Sequence, residues 1–563
     1  MTGFWRMRAL TGSSGRGDHS SRLAWLNAYG QLRPNHPQPR VRFSVIVDAT
    51  KGSRSELKTT INSVFSQTHT AWDLTAITQS FARRAGSSNG RIRFRSATPS
   101  FPEAADSIVL QQSTDHVILL RTGDTLRSDA LAWLSSVAQG SDVVYCDGGP
   151  RDAPNSLVFK PAWSPRLLLT LSYLDGLVSV SREAFLEAGG LSAATKGPGL
   201  TGLTLRLAEV ESLAATHLPM ILRTQEAVDR VILGREEIEG ALERRGWKNY
   251  KVEAGIDSLP LIRFTDARDL GIKVVLPTRD RPEDLEKAVK SVLAAKGVEQ
   301  PELIIVDNRS TDRQALDYLD SIKQKGRATV VRVDEPFNFS RLCNIGAATG
   351  SRSPALLFLN NDIEALDPQW IAQLGGWLVN DDRVAAVAPQ LRYPDGTVQF
   401  GGTILGMGGL AGHYAVHLEP SAPGLHQHAR EVAALTAACL LVRTADFESV
   451  GGFSEDLPTD FQDVDFSLKL RDKGRVLMYD PTYPLLHVEG ATRGRRDVEP
   501  ETQRTFFGRW ERTVLEGDPY YSPHLADGRS DPERGWVHDP NLLRDLPATD
   551  DEARLRVRPR RSS

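Results

Sequence analysis

The sequence predicts an α/β protein of two tandem domains, each built on a mostly parallel sheet, and three observations lead there. Short aliphatic and β-branched runs alternate with helical stretches, the pattern of parallel strands joined by right-handed crossovers. That alternation is written twice along the chain. Finally, 563 residues with 40% hydrophobic and 25% charged composition supply ample core for two large domains and are too apolar for general disorder.

The elements follow in order. Phe43 to Val47 is a buried-strand run, and residues 57–67 carry Leu57, Ile61, Val64 and Phe65 at helical spacing. Trp72 to Ile77 is the next strand. The same order returns with the strand Lys273 to Leu276, the helical stretch 285–295 and the strand Glu302 to Val306. The segment 115–124 (DHVILLRTGD) parallels 353–362 (SPALLFLNND), and 179–191 parallels 441–453. The implied organisation is a basic tail over 1–40, a first domain over 41–230 and a linker helix region over 231–270. A second domain over 271–515 and an extension with a basic tail over 516–563 complete it. The charged run Arg235 to Arg245 reads as the linker helix.

Composition excludes several classes. Lys plus Arg is 68 against Asp plus Glu 71, a formal charge of −3, so the chain is no polycation coating nucleic acid and none is expected as a partner. Three separated cysteines, Cys146, Cys343 and Cys439, give no disulfide framework or zinc knuckle and point to a reducing, cytoplasmic compartment. No apolar run is long enough for a transmembrane helix, and the N-terminus lacks the apolar core of a secretory signal. Both ends are basic, the C-terminal one through Arg554, Arg556, Arg558, Arg560 and Arg561. They are read as solvated tails, with peripheral contact to an anionic membrane as the other reading.

Open parallel sheets bind ligands at the carboxyl ends of their strands, so the residues after each strand of the second domain carry the functional reading. After the first strand comes Pro277-Thr278-Arg279, with no GxGxxG and no GxxxxGK[ST], which argues against a dehydrogenase and an NTPase. Asp307, after the second strand, either accepts hydrogen bonds from a nucleoside or caps the following helix. Asn360-Asn361-Asp362 suits a hard divalent cation with a diphosphate, or is a polar turn. Asp463, near the start of a helix containing Phe466 and Leu470, is a reactive carboxylate or a favourable N-terminal charge. His487, ending the strand-like Tyr483 to Leu486, is a metal ligand or an ordinary polar residue. The histidines of GHYAVHL (412–418) and HQHAR (426–430) are read as loop residues.

In order, the segments VVLPTRDRPEDL, IIVDNRSTD, PFNFSRLCNIGAATGS, LLFLNNDIEALDPQW, PQLRYPDGTVQFGG, TAACLLVRTADFESVGGF, FQDVDFSLKLRDKG and YPLLHVEGATRG resemble the family 2 inverting glycosyltransferases of the GT-A fold. The resemblance covers about 270–500 and is closest to bacterial transferases that extend surface polysaccharides such as O-antigen or capsule; DPYYSPHLADG (518–528) resembles the end of those proteins. It implies a nucleotide-sugar donor, a glycan or lipid-linked glycan acceptor, and Mn²⁺ or Mg²⁺. Carried over, Asp307 holds the nucleobase and Pro277, Thr278 and Arg279 line the nucleotide. Asn338, Arg341 and Asn344 lie near it. The family's DxD falls on Asn360-Asn361-Asp362, where Asn360 replaces the first Asp, so that Asp362 and His487 remain as metal ligands. The catalytic Glu-Asp falls on Gln462-Asp463, with Asp463 as general base.

The first domain resembles a degenerate copy. Asp48-Ala49 stands for Pro-Thr, Thr78 or Gln79 for the nucleotide Asp, and Arg121 and Gly123 for the DxD; the catalytic Asp falls near Leu200 and the late His near Thr224. Each exchange removes an acceptor or a ligand. A non-catalytic scaffold of a polysaccharide assembly complex is the alternative function, motivated by Asn360 and Gln462. A sugar-1-phosphate nucleotidyltransferase ranks last, because its Gly-rich loop is absent.

Overall fold

A computed structural model describes residues 41–79, 90–149, 159–174, 176–193, 199–224, 233–407, 410–488 and 498–522. The tails expected at 1–40 and beyond 522, and the GATRG stretch after Glu489, lie outside the described residues. The chain divides into two compact units between Ala241 and Leu242, the second running to Tyr520.

The first unit holds, in order, β1 (Phe43–Ala49), α1 (Arg54–Phe65), β2 (Trp72–Thr78), β3 (Ile92–Ser96), α2 (Phe101–Gln111), β4 (His116–Arg121), β5 (Thr125–Leu126), α3 (Ala130–Ala138), β6 (Val143–Gly148), β7 (Val178–Ser181), α4 (Arg182–Glu187), α5 (Gly199–Leu207) and β8 (Ala215–Thr224). Helix α1 starts on a capping box. The Ser53 hydroxyl accepts from the Glu56 amide, and the Glu56 carboxylate accepts from the Ser53 amide, so two otherwise orphaned donors are satisfied reciprocally. Phe43, Val45, Leu74, Ala76, Ile118 and Leu120 are buried in the sheet's core, where α1 and α3 add Val64, Leu131 and Leu134.

The expected linker helix is α6 (Arg235–Arg244), which spans the division. The hairpin β9 (Tyr250–Ala254) and β10 (Pro260–Phe264) follows, within the second unit. Gln373 holds it, accepting from the Phe264 amide and donating to the Ile262 carbonyl. The remainder is β11 (Ile272–Thr278), α7 (Pro282–Leu293), β12 (Glu302–Asp307), α8 (Arg313–Gln324), β13 (Thr329–Arg332), α9 (Phe339–Ala348), β14 (Ala355–Leu359), β15 (Ile363–Ala365), α10 (Trp370–Asn380), β16 (Val384–Arg392), β17 (Val398–Phe400), β18 (Thr403–Leu405), β19 (Ala411–His413), β20 (Arg430–Glu431), β21 (Cys439–Arg443), α11 (Thr444–Ser449), α12 (Gln462–Asp472), β22 (Val476–His487) and α13 (Pro500–Glu516). In α7, Pro282 takes the first turn, where its missing amide proton costs nothing, and Glu283 and Asp284 face the positive end of the dipole. Its buried Leu285, Ala288, Val289 and Val292 recur at helical spacing.

The duplication read from the sequence is a duplication of topology. The first sheet runs β3-β2-β1-β4-β7-β6-β8-β5 and the second β13-β12-β11-β14-β21-β16-β22-β15, the same order position by position. Neighbouring pairs are parallel in both except around β7 and β21, each antiparallel to both neighbours, and at the edge strands β5 and β15. The α/β two-domain expectation is therefore met, with sheets that are mixed. In the second unit β17 and β20 are added beside this path, and β18 pairs with β19 as a separate ribbon. GHYAVHL accordingly begins in a strand rather than a loop. His426 and His428 of HQHAR are buried, at 0% and 1% exposure, in an irregular stretch that leads from a short 3₁₀ turn into β20, so these loop residues are packed inside. The alternation of polar and apolar residues in GHYAVHL is too short to distinguish a ribbon from a loop.

Candidate active site

The carboxyl ends of β11, β12, β14 and β22 deliver the polar residues predicted from the sequence. Pro277 and Thr278 close β11 and are buried, while Arg279 stands exposed after them. The Asn361 side-chain amide donates to the Thr278 hydroxyl at 3.1 Å, which ties the end of β11 to the turn after β14. Asp307 is 1% exposed. One carboxylate oxygen accepts from the Ser310 amide at 3.0 Å and the other lies 3.2 Å from an Arg332 guanidinium nitrogen. The helix-side role and a charged partner are both present, and each oxygen keeps a lone pair for a ligand donor. Arg332 itself was not anticipated; it ends β13, which pairs with β12 in register Asp307 to Arg332.

Asn338 and Asn344 are engaged elsewhere. Asn338 caps α9 by accepting from the Arg341 amide and donates to the Glu455 carbonyl. Asn344 donates to the Phe453 carbonyl and accepts from the Phe453 amide. These bonds fasten α9 to the segment before α12, so the two asparagines have an architectural part. Arg341 likewise pairs with Glu335 and Glu455.

Asp362 and His487 meet. His487 Nε2 lies 3.2 Å from Asp362 Oδ1 and 3.5 Å from Asn360 Nδ2. Edge strand β15 makes the meeting obligatory, because Ile363, directly after Asp362, pairs with His487. On its other side the ring contacts Gln399 Oε1 through Nδ1 at 2.6 Å, and Gln399 Nε2 faces the His487 carbonyl at 3.5 Å. With its amide group on a carbonyl, Gln399 presents only an acceptor to the ring. Nδ1 therefore carries the proton and Nε2 of the neutral ring presents a lone pair toward the carboxylate. Asp362 Oδ1 is buried and receives no hydrogen bond. Two electron-pair donors facing each other can share a second ring proton or a metal ion, and Asn360 Nδ2 is the nearest hydrogen-bond donor to Nε2. Ligands about 2.1 Å from an ion at right angles are about 3 Å apart, which matches this pair. The donor set fits a hard-to-borderline divalent ion, although among the described residues no cluster of three His, Cys, Asp or Glu surrounds the point. Gln399, missed in the sequence, was visible there only as a polar residue inside the apolar run of β17.

Asp463 is the second residue of α12. Its oxygens accept from the Ala437 amide at 3.2 Å and from the Val464 amide at 2.9 Å. By accessible surface it is half-buried. Burial raises its pKa above the ordinary Asp value, and the positive field of His413 and the two amides work against that rise. A carboxylate with a raised pKa is a stronger base in its ionised form. Beside it the Gln462 side-chain oxygen is buried without a partner.

The register also places the counterparts in the first unit. Ala49 pairs with Thr78 as Thr278 pairs with Asp307, so Thr78 holds the position of Asp307. Thr125 pairs with Thr224 as Ile363 pairs with His487, so Thr224 holds that of His487. Asp124, directly before β5, stands where Asp362 stands, as the parallel of 115–124 with 353–362 implies, and this register corrects the placing of the DxD on Arg121 and Gly123. Asp124 accepts from Arg223 Nη2 at 2.5 Å and from the Arg121 amide at 2.6 Å. A permanent guanidinium thus neutralises the one retained carboxylate.

Residues 273–430 match the family model described as Glycosyl transferase family 2. The O-antigen biosynthesis protein RfbC of Myxococcus xanthus is 30% identical over 524 residues, covering 86% of this chain and 40% of that protein. The uncharacterized protein y4gI of Sinorhizobium fredii is 28% identical over 548 residues, covering 87% and 58%. The chain thus spans about half the length of the curated relatives it matches. Similar solved structures include GalNAc-T7 with UDP, GalNAc and Mn²⁺ (TM-score 0.36, 16% identity, 44% of this chain and 50% of that one). The mannosyltransferase PcManGT from Pyrobaculum calidifontis with GDP-Man and Mn²⁺ is another (TM-score 0.31, 12% identity, 47% and 74%).

Proposed function

We propose, from the premise that this chain carries a glycosyl transferase family 2 domain over residues 273–430, that its second unit is an inverting glycosyltransferase. It moves a sugar from a nucleoside-diphosphate donor to a hydroxyl of a growing bacterial surface polysaccharide or its lipid-linked precursor. The observation that carries this reading is the run of contacts around Asn360 to Asp362: Asn361 bonds Thr278, which pairs with Asp307, Asp362 meets His487, and Asn360 bonds Ala438, next to the Ala437 amide that binds Asp463.

Thr278 and Asp307 receive the nucleoside, and Arg279 stands at the mouth for the phosphates. Asp362 and His487 would hold a divalent metal, with Asn360 beside them and Gln399 fixing the ring; when bound, such an ion neutralises charge on the departing diphosphate. Asp463 takes the proton of the acceptor hydroxyl as its oxygen attacks the anomeric carbon. One base, opposite the leaving group, gives a single displacement with inversion. The first unit, with Asp124 locked to Arg223, does not transfer. Among the described residues no helix is long and apolar enough to cross a membrane.

The test is a panel of nucleotide-sugars scored by donor hydrolysis and by thermal shift, since a bound donor stabilises the fold by mass action. Transfer or stabilisation by one donor class is expected. Stabilisation by none, with metal present, overturns the reading. Gln399→Leu is expected to weaken metal affinity about 10–100-fold, as removal of an outer-shell partner generally does, read by metal titration of the thermal midpoint.

A further inference from the structure

The residue immediately before the Gln462-Asp463 pair is held in an unfavourable conformation. Phe461 has φ 58° and ψ 2°, the left-handed region that a side chain bearing a Cβ avoids, and its carbonyl accepts from the Asp465 amide at 2.8 Å to open α12. Such a backbone persists only where its surroundings over-determine it. Two sets of contacts bear on it, and α13, far along the chain, contributes to both. The Phe461 ring stacks on Phe506, with centroids 4.7 Å apart and planes 17° from parallel. Phe506 is fully buried, in a cluster with Val464 and Leu468 of α12 and Trp510 and Val514 of α13.

The second contact falls one turn into α12. Asp465, 0% exposed, accepts from Arg509 Nη1 at 2.7 Å, Trp510 Nε1 at 3.0 Å and the Ser454 hydroxyl at 2.6 Å, with Lys469 Nζ at 3.4 Å. Burial acts to raise its pKa, but the hydrogen bonds of Ser454, Arg509 and Trp510 outweigh it and hold Asp465 below the usual Asp value. Arg509 also reaches Asp456 at 2.8 Å. Helix α13 departs from helical geometry at Trp510 (φ −121°, ψ 16°), the residue whose indole donates to Asp465. The mid-helix irregularity thus coincides with the contact to α12. None of these groups has a part in the chemistry proposed above.

We infer that α13 is the positioning element of the base: Phe506 stacking on left-handed Phe461, and Arg509 with Trp510 binding Asp465, fix the first turn of α12 and thereby the place of the Asp463 carboxylate. Phe461, Phe506, Asp465 and Arg509 are positioning residues. This rests on the assignment of Asp463 as general base. A carboxylate displaced by about an ångström from its acceptor costs rate out of proportion to the movement, while nucleotide contacts on β11 and β12 are untouched.

Phe506→Leu keeps an apolar side chain but loses the stack. Measured below its unfolding transition, it is expected to lower kcat about 10–100-fold with donor KM near the wild-type value. The acid limb of its pH profile should move down as the base becomes more exposed. Phe461→Gly removes both the ring and the left-handed penalty, so in that background Phe506→Leu should cost less than about twofold further, the signature of a coupled pair. Should Phe506→Leu fail to fold, Arg509→Gln, at a side chain 33% exposed, tests the second contact and should show the same kcat-only loss. Hydrogen exchange of amides 462–466 gives a readout independent of turnover and should accelerate in either variant. Unchanged kcat and unchanged exchange in folded variants, or equal cost of Phe506→Leu in both backgrounds, overturns the inference. If the wild type transfers no sugar from any donor, the function proposed above falls, while the exchange measurement still decides whether α13 holds α12.

Discussion

Asp463→Asn is expected to lower kcat for sugar transfer by about 10²–10⁴-fold, the usual contribution of a positioned general base, while nucleotide affinity and thermal midpoint stay near the wild-type values. Asparagine fills the same volume but keeps a single oxygen, whereas the Ala437 and Val464 amides bind different carboxylate oxygens, so one of these two contacts is lost and a small fall of the thermal midpoint is the expected structural cost. What it lacks is the ability to take a proton. The pH profile makes the same point from the other side. Asp463 must be ionised to act, and burial raises its folded-state pKa. Activity should therefore be full above that pKa and lost as pH falls through it, with the acid limb at higher pH than an ordinary exposed Asp gives. Asp463→Asn should abolish the limb along with the activity. Substantial turnover in this variant, with the limb intact, would remove Asp463 from the role of base.

Removal of the metal is the second large effect. Chelation is expected to stop transfer, and Asp362→Ala, which deletes one of the two ionisable groups that meet there among the described residues, to lower kcat by roughly 10²–10³-fold, the scale of several kcal/mol of charge stabilisation. Asn360 stands beside His487 where a carboxylate would add a second negative charge, so affinity for the ion should be modest. Mn²⁺ or Mg²⁺ added in excess should restore the chelated wild type and Asp362→Ala to different extents. Full activity in chelator would take Asp362 and His487 out of the metal role. The same 3.2 Å contact would then be read as an imidazolium–carboxylate pair.

Much of this was legible along the chain. Buried strands announce themselves as short runs of Val, Ile and Leu, and the side chains after them must lie at the carboxyl end of a sheet. Thr278, Asp307 and Asn360 to Asp362 could therefore be placed by local pattern alone. The duplication was legible for the same reason, since each copy repeats the period that buries a strand or a helix face. Asn338 and Asn344 were harder. Their residue type and segment pointed toward the nucleotide, but their hydrogen bonds go to backbone groups near residue 453, a pairing no local rule announces. In the first unit the parallel of 115–124 with 353–362 already set Asp124 against Asp362, but that Asp124 is bound by Arg223 across 99 positions is a contact no local pattern announces.

The sequence by itself determined the architecture, two α/β sheets with their polar residues at the strand ends, because strand and helix burial is a matter of period over a few residues. Tertiary structure alone decided which of those residues act together. His487 meets Gln399 across 88 positions, and Asp465 meets Arg509 across 44. Strand pairing and helix docking bring these groups within hydrogen-bond reach, and only at that range do they set a tautomer, raise a carboxyl's pKa or hold a phenylalanine in a left-handed turn.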